Sequence, residues 1–299
     1  MVAEETDWES IKRNLFVNYI LHTVPLVVLY YDYLLTVGDE IQHYWPNRRR
    51  PLTWLSCLFL GVRYLAVIGY IPALVALVWG TDWQQGCGAL QYYETFLELC
   101  LQVLVAALCI LRVYALYAKD RRVLIGLILL AVVLLAVASY FFASKNIHSP
   151  SYFWSIAPSC GLSTPPERGA RLAIAWSAVL IFDLSILFMT AVRAGRVWQA
   201  GRIVHVVLRD GVLYFCALSA SNLVNIVTLR VATPLLRTTF GSLTNVLSVV
   251  LISRLMLNLR SDVNPGSDPF TEDTELTAVT SASLDTNILV KKSDVRVSP

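Results

Sequence analysis

The 299-residue chain is 56% hydrophobic and only 15% charged, with a mean hydropathy of +0.59 and a formal net charge of +3. Soluble domains carry roughly a quarter charged residues, so this composition excludes one or two water-solvated domains and requires a lipid environment. The small net charge, spread over short connecting segments, also excludes nucleic acid as a partner.

In chain order, residues 1–14 place Glu4, Glu5, Asp7 and Glu9 ahead of Lys12 and Arg13, the reverse of the basic start of a secretory signal. We therefore expect no cleavable leader and a short extracellular N-terminus. A spanning helix needs about 20 mostly apolar residues, and seven stretches supply them: 15–36, 54–79, 92–117, 123–143, 172–194, 210–229 and 238–257. The fourth holds no charge at all. The last two are the most polar, with Asn222 and Asn225 in one and Asn245 and Arg254 in the other; a re-entrant hairpin or a single span is the alternative there. The sequence thus predicts an all-α, seven-helix transmembrane bundle over 15–260. The Ser/Thr/Asp/Glu-rich tail, 261–299, is too poor in large apolar residues to fold alone. No internal repeat or inverted pair of halves accompanies the spans, which weighs against a transporter.

Lysine and arginine in short loops set orientation. With the N-terminus outside, thirteen such residues face the cytoplasm: Arg48, Arg49, Arg50, Arg112, Lys119, Arg121, Arg122, Arg193, Arg196, Arg202, Arg209, Arg254 and Arg260. Seven face out: Lys12, Arg13, Lys145, Arg168, Arg171, Arg230 and Arg237. The balance predicts an outside N-terminus and a cytoplasmic tail, against the mild objection of Lys12 and Arg13 beside the first helix.

Four of the six cysteines, Cys57, Cys100, Cys109 and Cys216, fall inside spans, where a thiol behaves as a small apolar side chain. Cys87 and Cys160 lie in two loops of the outer side, where an oxidising compartment lets them join; two free thiols are the alternative. The outer loop 144–171 carries Tyr152, Phe153, Trp154, Pro158, Pro165 and Pro166. Its aromatics read either as an interfacial belt or as a lid over a ligand.

Ionisable groups within spans cost several kcal/mol unless paired, which makes them functional candidates. Here they are Asp32, Arg63, Glu94, Glu98 and Asp183. Depth along the helices makes Asp32–Arg63 the expected ion pair, with Glu98 competing for the arginine. Asp183 has no evident mate and is grouped with Asn222, Asn225 and Asn245 as a polar contact in a central cavity. At the inner end of the third span, Arg112 and Tyr114 are candidates for coupling to a cytoplasmic partner. The stretch Leu111-Arg112-Val113-Tyr114 departs from the Asp/Glu-Arg-Tyr motif of rhodopsin-like receptors, since Leu111 replaces the acid and Tyr114 falls one place late. Asn245 is likewise followed by Val246 rather than proline.

None of the five lysines, Lys12, Lys119, Lys145, Lys291 and Lys292, lies in a span, so a retinal Schiff base is excluded. The histidines His22, His43, His148 and His205 are scattered, unlike a zinc hydrolase's ligand set. No phosphate-binding glycine loop or hydrolase motif occurs. We expect no enzyme activity, no cofactor and no metal site.

The most specific pattern joins the first two spans: Tyr31-Asp32, Leu35-Thr36, Glu40, Trp45 and the pair Arg63-Tyr64. It resembles the signature of a large fungal family of multi-pass membrane proteins marked by an N-terminal domain of unknown function, number 6533, here over about residues 19–65. The stretches Arg112 to Tyr117 and Arg254 to Arg260 extend the likeness, whereas Val62 departs from it where members often carry Asn. The resemblance implies a multi-pass membrane protein and supplies no function. In physical terms, Asp32 and Thr36 share a helix face, and Glu40 and Trp45 are expected at the headgroup boundary beside Arg48, Arg49 and Arg50. That basic cluster suits anionic lipid headgroups or a cytoplasmic coupling surface.

Together these features point to a receptor-like seven-helix sensor with an extracellular ligand and a cytoplasmic partner, placed by its architecture in the plasma membrane. The alternatives are a small-solute transporter or channel, or a structural protein of the bilayer without a ligand. A transporter needs a continuous polar path; a sensor needs a site closed on its inner side.

Overall fold

The computed structural model describes residues 2–45, 54–79, 84–143, 153–154, 161–162, 164–197, 202–234 and 236–261. Eight helices are present among them: α1 (Val2–His43), α2 (Trp54–Gly69), α3 (Ile71–Trp79), α4 (Gln84–Leu116), α5 (Arg121–Ala143), α6 (Pro166–Val197), α7 (Arg202–Val231) and α8 (Thr239–Ser261). α2 and α3 are the two halves of one span, so seven helical segments are long and apolar enough to cross a membrane. The all-α expectation holds, with one addition. A two-residue antiparallel hairpin, β1 (Phe153–Trp154) with β2 (Gly161–Leu162), sits in the α5–α6 connection. Arg48, Arg49, Arg50, Cys160, most of the 144–163 loop and residues 262–299 lie outside the described residues.

Local chemistry explains where the helices start, bend and stop. α1 begins at Val2, not near Leu15. It also runs past residue 36 to His43. The second span breaks at Tyr70, since Pro72 has no N–H for the carbonyl of Ile68 and its ring crowds that carbonyl. α4 ends in a Schellman turn, in which Lys119 N–H donates to the Tyr114 carbonyl at 3.0 Å and Ala118 N–H to Ala115 at 3.2 Å. Ala118 and Lys119 there take φ values of 55° and 60°. Asp120 then caps α5 through the Arg122 N–H at 2.9 Å.

α6 and α7 share the most extensive seam, followed by α1 with α8 and α5 with α6. Gly169, in the first turn of α6, permits that approach: a Cβ there stands 2.7 Å from the backbone carbonyl oxygen of Leu229 on α7. Backbone cannot rotate aside as a side chain does. Gly169→Ala is therefore expected to cost about 1–3 kcal/mol by overpacking, read as a lowered Tm in detergent. An unchanged Tm would show that the helices do not meet this closely.

α8 stands at the centre. Of its span 72% is buried, against 6% for α5, whose Ile128, Leu129, Val132 and Val133 face outward. In lipid an apolar surface needs no cover, so α5 can sit at the rim. The polar Thr244, Asn245, Ser248 and Ser253 of α8 need protein on every side. Around α8 pack Leu101, Val105 and Leu108 of α4, Phe59 and Val62 of α2, and Phe215 of α7.

Candidate functional site

An odd number of spans places the N-terminus and the tail on opposite faces. The N-terminal face carries the α3–α4, α5–α6 and α7–α8 connections; the C-terminal face carries the other three. Polar groups form a separate layer near each.

At the C-terminal face, Glu40 in the last turn of α1 is fully buried. Its Oε2 lies 2.6 Å from Arg63 Nε of α2. Its Oε1 accepts hydrogen bonds from Trp45 Nε1 at 3.0 Å and Tyr64 OH at 2.9 Å. Arg63 also donates through Nη2 to Thr36 Oγ1 and to the Tyr33 carbonyl, and lies over the Tyr33 ring at 5.0 Å. The Nε–Oε2 contact is a charge contact without hydrogen-bond alignment, and the hydrogen bonds that a buried charge pair requires come from Glu40 Oε1 and Arg63 Nη2.

Glu40 is enclosed by protein, because α1 continues past residue 36 and carries it against α2. One expectation is corrected. Arg63 pairs with Glu40, and neither Asp32 nor Glu98 is its partner. Helical side chains lean toward their own N-terminus; for α2 that direction is toward the C-terminal face, toward Thr36 and Glu40 and away from Glu98. Asp32 instead receives Arg254 Nε of α8 at 2.5 Å, since the α8 side chain leans the opposite way. Beside these pairs, Tyr44 OH donates to the Met256 carbonyl at 3.0 Å and its ring stacks on Phe59 at 4.0 Å. Arg260 covers the other side of that ring at 4.5 Å and reaches Ser56 at 3.0 Å. Of the signature residues, Asp32, Thr36, Glu40, Trp45, Arg63 and Tyr64 are thus joined. Tyr31 and Leu35 point outward and take no part.

The second layer lies toward the N-terminal face. Glu94 and Glu98 stand one turn apart on α4, both half-buried. Glu98 Oε1 accepts from Ser242 Oγ of α8 at 2.7 Å. One turn along α8, Asn245 is fully buried and donates to Tyr70 OH at 3.3 Å, while its Oδ1 has no partner. Gln102, one turn below Glu98, likewise keeps a buried Oε1 without a partner. Tyr93 OH bonds the Gly69 carbonyl at 3.0 Å, holding the α2–α3 break against α4. No arginine or lysine pairs with either glutamate among the described residues.

Between the layers, Asp183 of α6 accepts a hydrogen bond from Asn222 Nδ2 of α7. The mate that the sequence left open is therefore an asparagine. Asn225, a turn away, is fully buried with both amide atoms unpartnered. Asn245 belongs to the Glu98 layer and not to this group, so the expected central cluster divides in two. Arg112 lies along α7, 5.6 Å from the Phe215 ring and against Gly211, with Nη1 buried and unpartnered. Tyr114 contributes its carbonyl to the α4 cap, and its side chain is half-buried. Cys87 lies in the first turn of α4, but its side chain and all of Cys160 are outside the described residues. Cys57, Cys100, Cys109 and Cys216 are free. Among the described residues no cluster of three metal-ligating side chains occurs.

Sequence reasoning missed Arg254, Ser242 and Tyr70 as partners. Arg254 was legible only as a loop-flanking cation, and a serine or tyrosine in a span carries no charge signal.

Residues 20–68 match a family of unknown function (DUF6533). The matched segment runs from α1 through α2 and holds the whole Glu40–Arg63 clasp, together with Asp32. No curated protein and no solved structure matches the chain. The clasp is therefore the structural content of the one segment that comparison recognises.

Proposed function

We propose that this integral membrane protein is a receptor-like sensor of the plasma membrane, with its N-terminus outside and its tail in the cytoplasm. A ligand enters the Glu94–Glu98 layer from outside, and the opposite face couples to a cytoplasmic partner through the α4–α5 connection and Arg112. The proposal assigns no catalytic step. The match over residues 20–68 and the signature within it support placing the chain with the fungal multi-pass proteins it resembles.

The observation that carries the reading is the distribution of polar and apolar layers. Glu94, Glu98 and Asn245 are underpartnered toward the N-terminal face. Below them Leu101, Val105 and Leu108 of α4 and Val246, Val249 and Ile252 of α8 are at most 3% exposed. At the far end the Glu40–Arg63 and Asp32–Arg254 pairs hold α1, α2 and α8 together. Underpartnered polar groups toward the N-terminal face, set apart from the paired charges of the far end by these buried apolar side chains and by the Asp183–Asn222 bond, favour a sensor over a solute path.

Cysteine accessibility tests both parts. Thr81→Cys is expected to react with a membrane-impermeant maleimide on intact cells, whereas Lys119→Cys and Ser267→Cys react only after permeabilisation. The reverse pattern ends the N-out reading. Val105→Cys and Leu108→Cys should stay unreactive toward charged thiosulfonates from either side. A file of reactive positions running through α4 would instead establish a transport path.

A further inference from the structure

We infer that the Glu94–Glu98 layer is a binding site for a small organic cation, a protonated amine with an apolar body. The inference rests on the sensor reading only for the side from which the ligand arrives.

The argument begins with unfilled hydrogen-bonding capacity. Glu94, Glu98 and Gln102 recur at four-residue spacing and so lie along one stripe of α4. Glu98 sits about 9 Å inside its span, counting from Tyr92 at the helical rise. One of the four carboxylate oxygens accepts a protein hydrogen bond, from Ser242. Gln102 Oε1 and Asn245 Oδ1 add two buried oxygens without donors. Asn245 is 0% exposed and follows Ser242 by one turn of α8, which turns it to the same seam, where its Nδ2 meets Tyr70 OH. What this seam lacks is therefore donors and positive charge.

A pair of ionised carboxylates inside a membrane span is stabilised by a cation. The chain provides cations for two of its other buried acids, Arg63 for Glu40 and Arg254 for Asp32, and an amide for the third, Asp183, yet none of its described arginines or lysines pairs with these two. An ammonium group supplies three donors, no acceptor and one charge. The ligand's remaining body meets aromatic walls. Trp176 of α6 and Glu98 converge on Gly241 of α8: a Cβ placed on that glycine would lie 3.8 Å from Trp176 Cζ2 and 3.7 Å from Glu98 Oε2. Tyr70 borders the same carboxylates. Aromatic faces beside a carboxylate attract organic cations above bare metal ions, and the described residues offer no third acidic or imidazole ligand for a metal.

The test uses purified protein in detergent, where neither face is privileged, so its result is independent of topology. Phenethylammonium at millimolar concentration is expected to raise Tm, while 2-phenylethanol, its neutral counterpart, leaves it unchanged. Glu98→Gln and Glu94→Gln should abolish the rise; each removes an uncompensated charge, so both proteins are expected to fold. Gly241→Val keeps both carboxylates, fills the space between Trp176 and Glu98, and should also abolish the rise. As a second readout, dicyclohexylcarbodiimide should modify Glu98, with protection by the amine and none by the alcohol. No shift with the amine, an equal shift with the alcohol, or a shift that survives in the double Glu94→Gln/Glu98→Gln protein would each overturn the cation site. In those cases the sensor topology would stand or fall on the maleimide labelling alone.

Discussion

Glu40→Ala is expected to destabilise the bundle by about 3–5 kcal/mol, the penalty for leaving a buried charge without its partner. Arg63 is 3% exposed, and without Glu40 it keeps Thr36, a backbone carbonyl and the Tyr33 ring but no counter-charge. Trp45 and Tyr64 also lose their acceptor. Arg63→Ala should cost a similar amount by stranding the carboxylate. The double variant Glu40→Met/Arg63→Met strands neither and should recover most of the loss. Thermal unfolding in detergent, followed by a thiol-reactive dye that reports exposure of buried Cys109, measures all three. If the double variant falls as far as the sum of the singles, the two charges act independently and the clasp is not a unit.

A second effect is asymmetric. Arg254→Ala should cost about 2–3 kcal/mol, since Asp32 is buried and would be left as an orphaned charge. Asp32→Ala should cost under about 1 kcal/mol, because the Arg254 side chain is 44% exposed and can extend its guanidinium to the headgroup layer. The same unfolding measurement decides it. Equal losses for the two variants would mean that Arg254 is held as firmly as its partner.

The seven spans were legible because each carries a run of apolar residues long enough to outweigh its polar exceptions. Even the polar pair at the end of the chain resolves into two full helices, α7 and α8. The partnerships inside the bundle were much less legible. Arg63 lies at nearly the depth of Asp32 by residue counting, yet it pairs two turns lower, with Glu40. Counting locates a Cα, whereas an arginine reaches several ångströms along the direction its helix imposes. The enclosure of Glu40 was not legible, because the apolar run stops before it although the helix does not. Asp183 found Asn222, a residue that the sequence did group with it. Glu94 and Glu98 were visible as intramembrane acids. Their lack of a cation was not, since that depends on where every arginine side chain ends.

The central position of α8 has a consequence for how the protein is made. Every preceding helix leaves the ribosome before it, yet Asp32 of α1, Tyr44 beyond α1, Tyr70 between α2 and α3, Glu98 of α4 and Tyr214 of α7 all take hydrogen-bonding partners from α8. Until that last segment arrives, the nascent chain holds an open cleft lined by two carboxylates and several unsatisfied hydroxyls. Biogenesis is thus back-loaded: a polypeptide interrupted after α7 is not a slightly smaller bundle but an unclosed one, recognisable as such to the quality-control machinery of the membrane in which it is made.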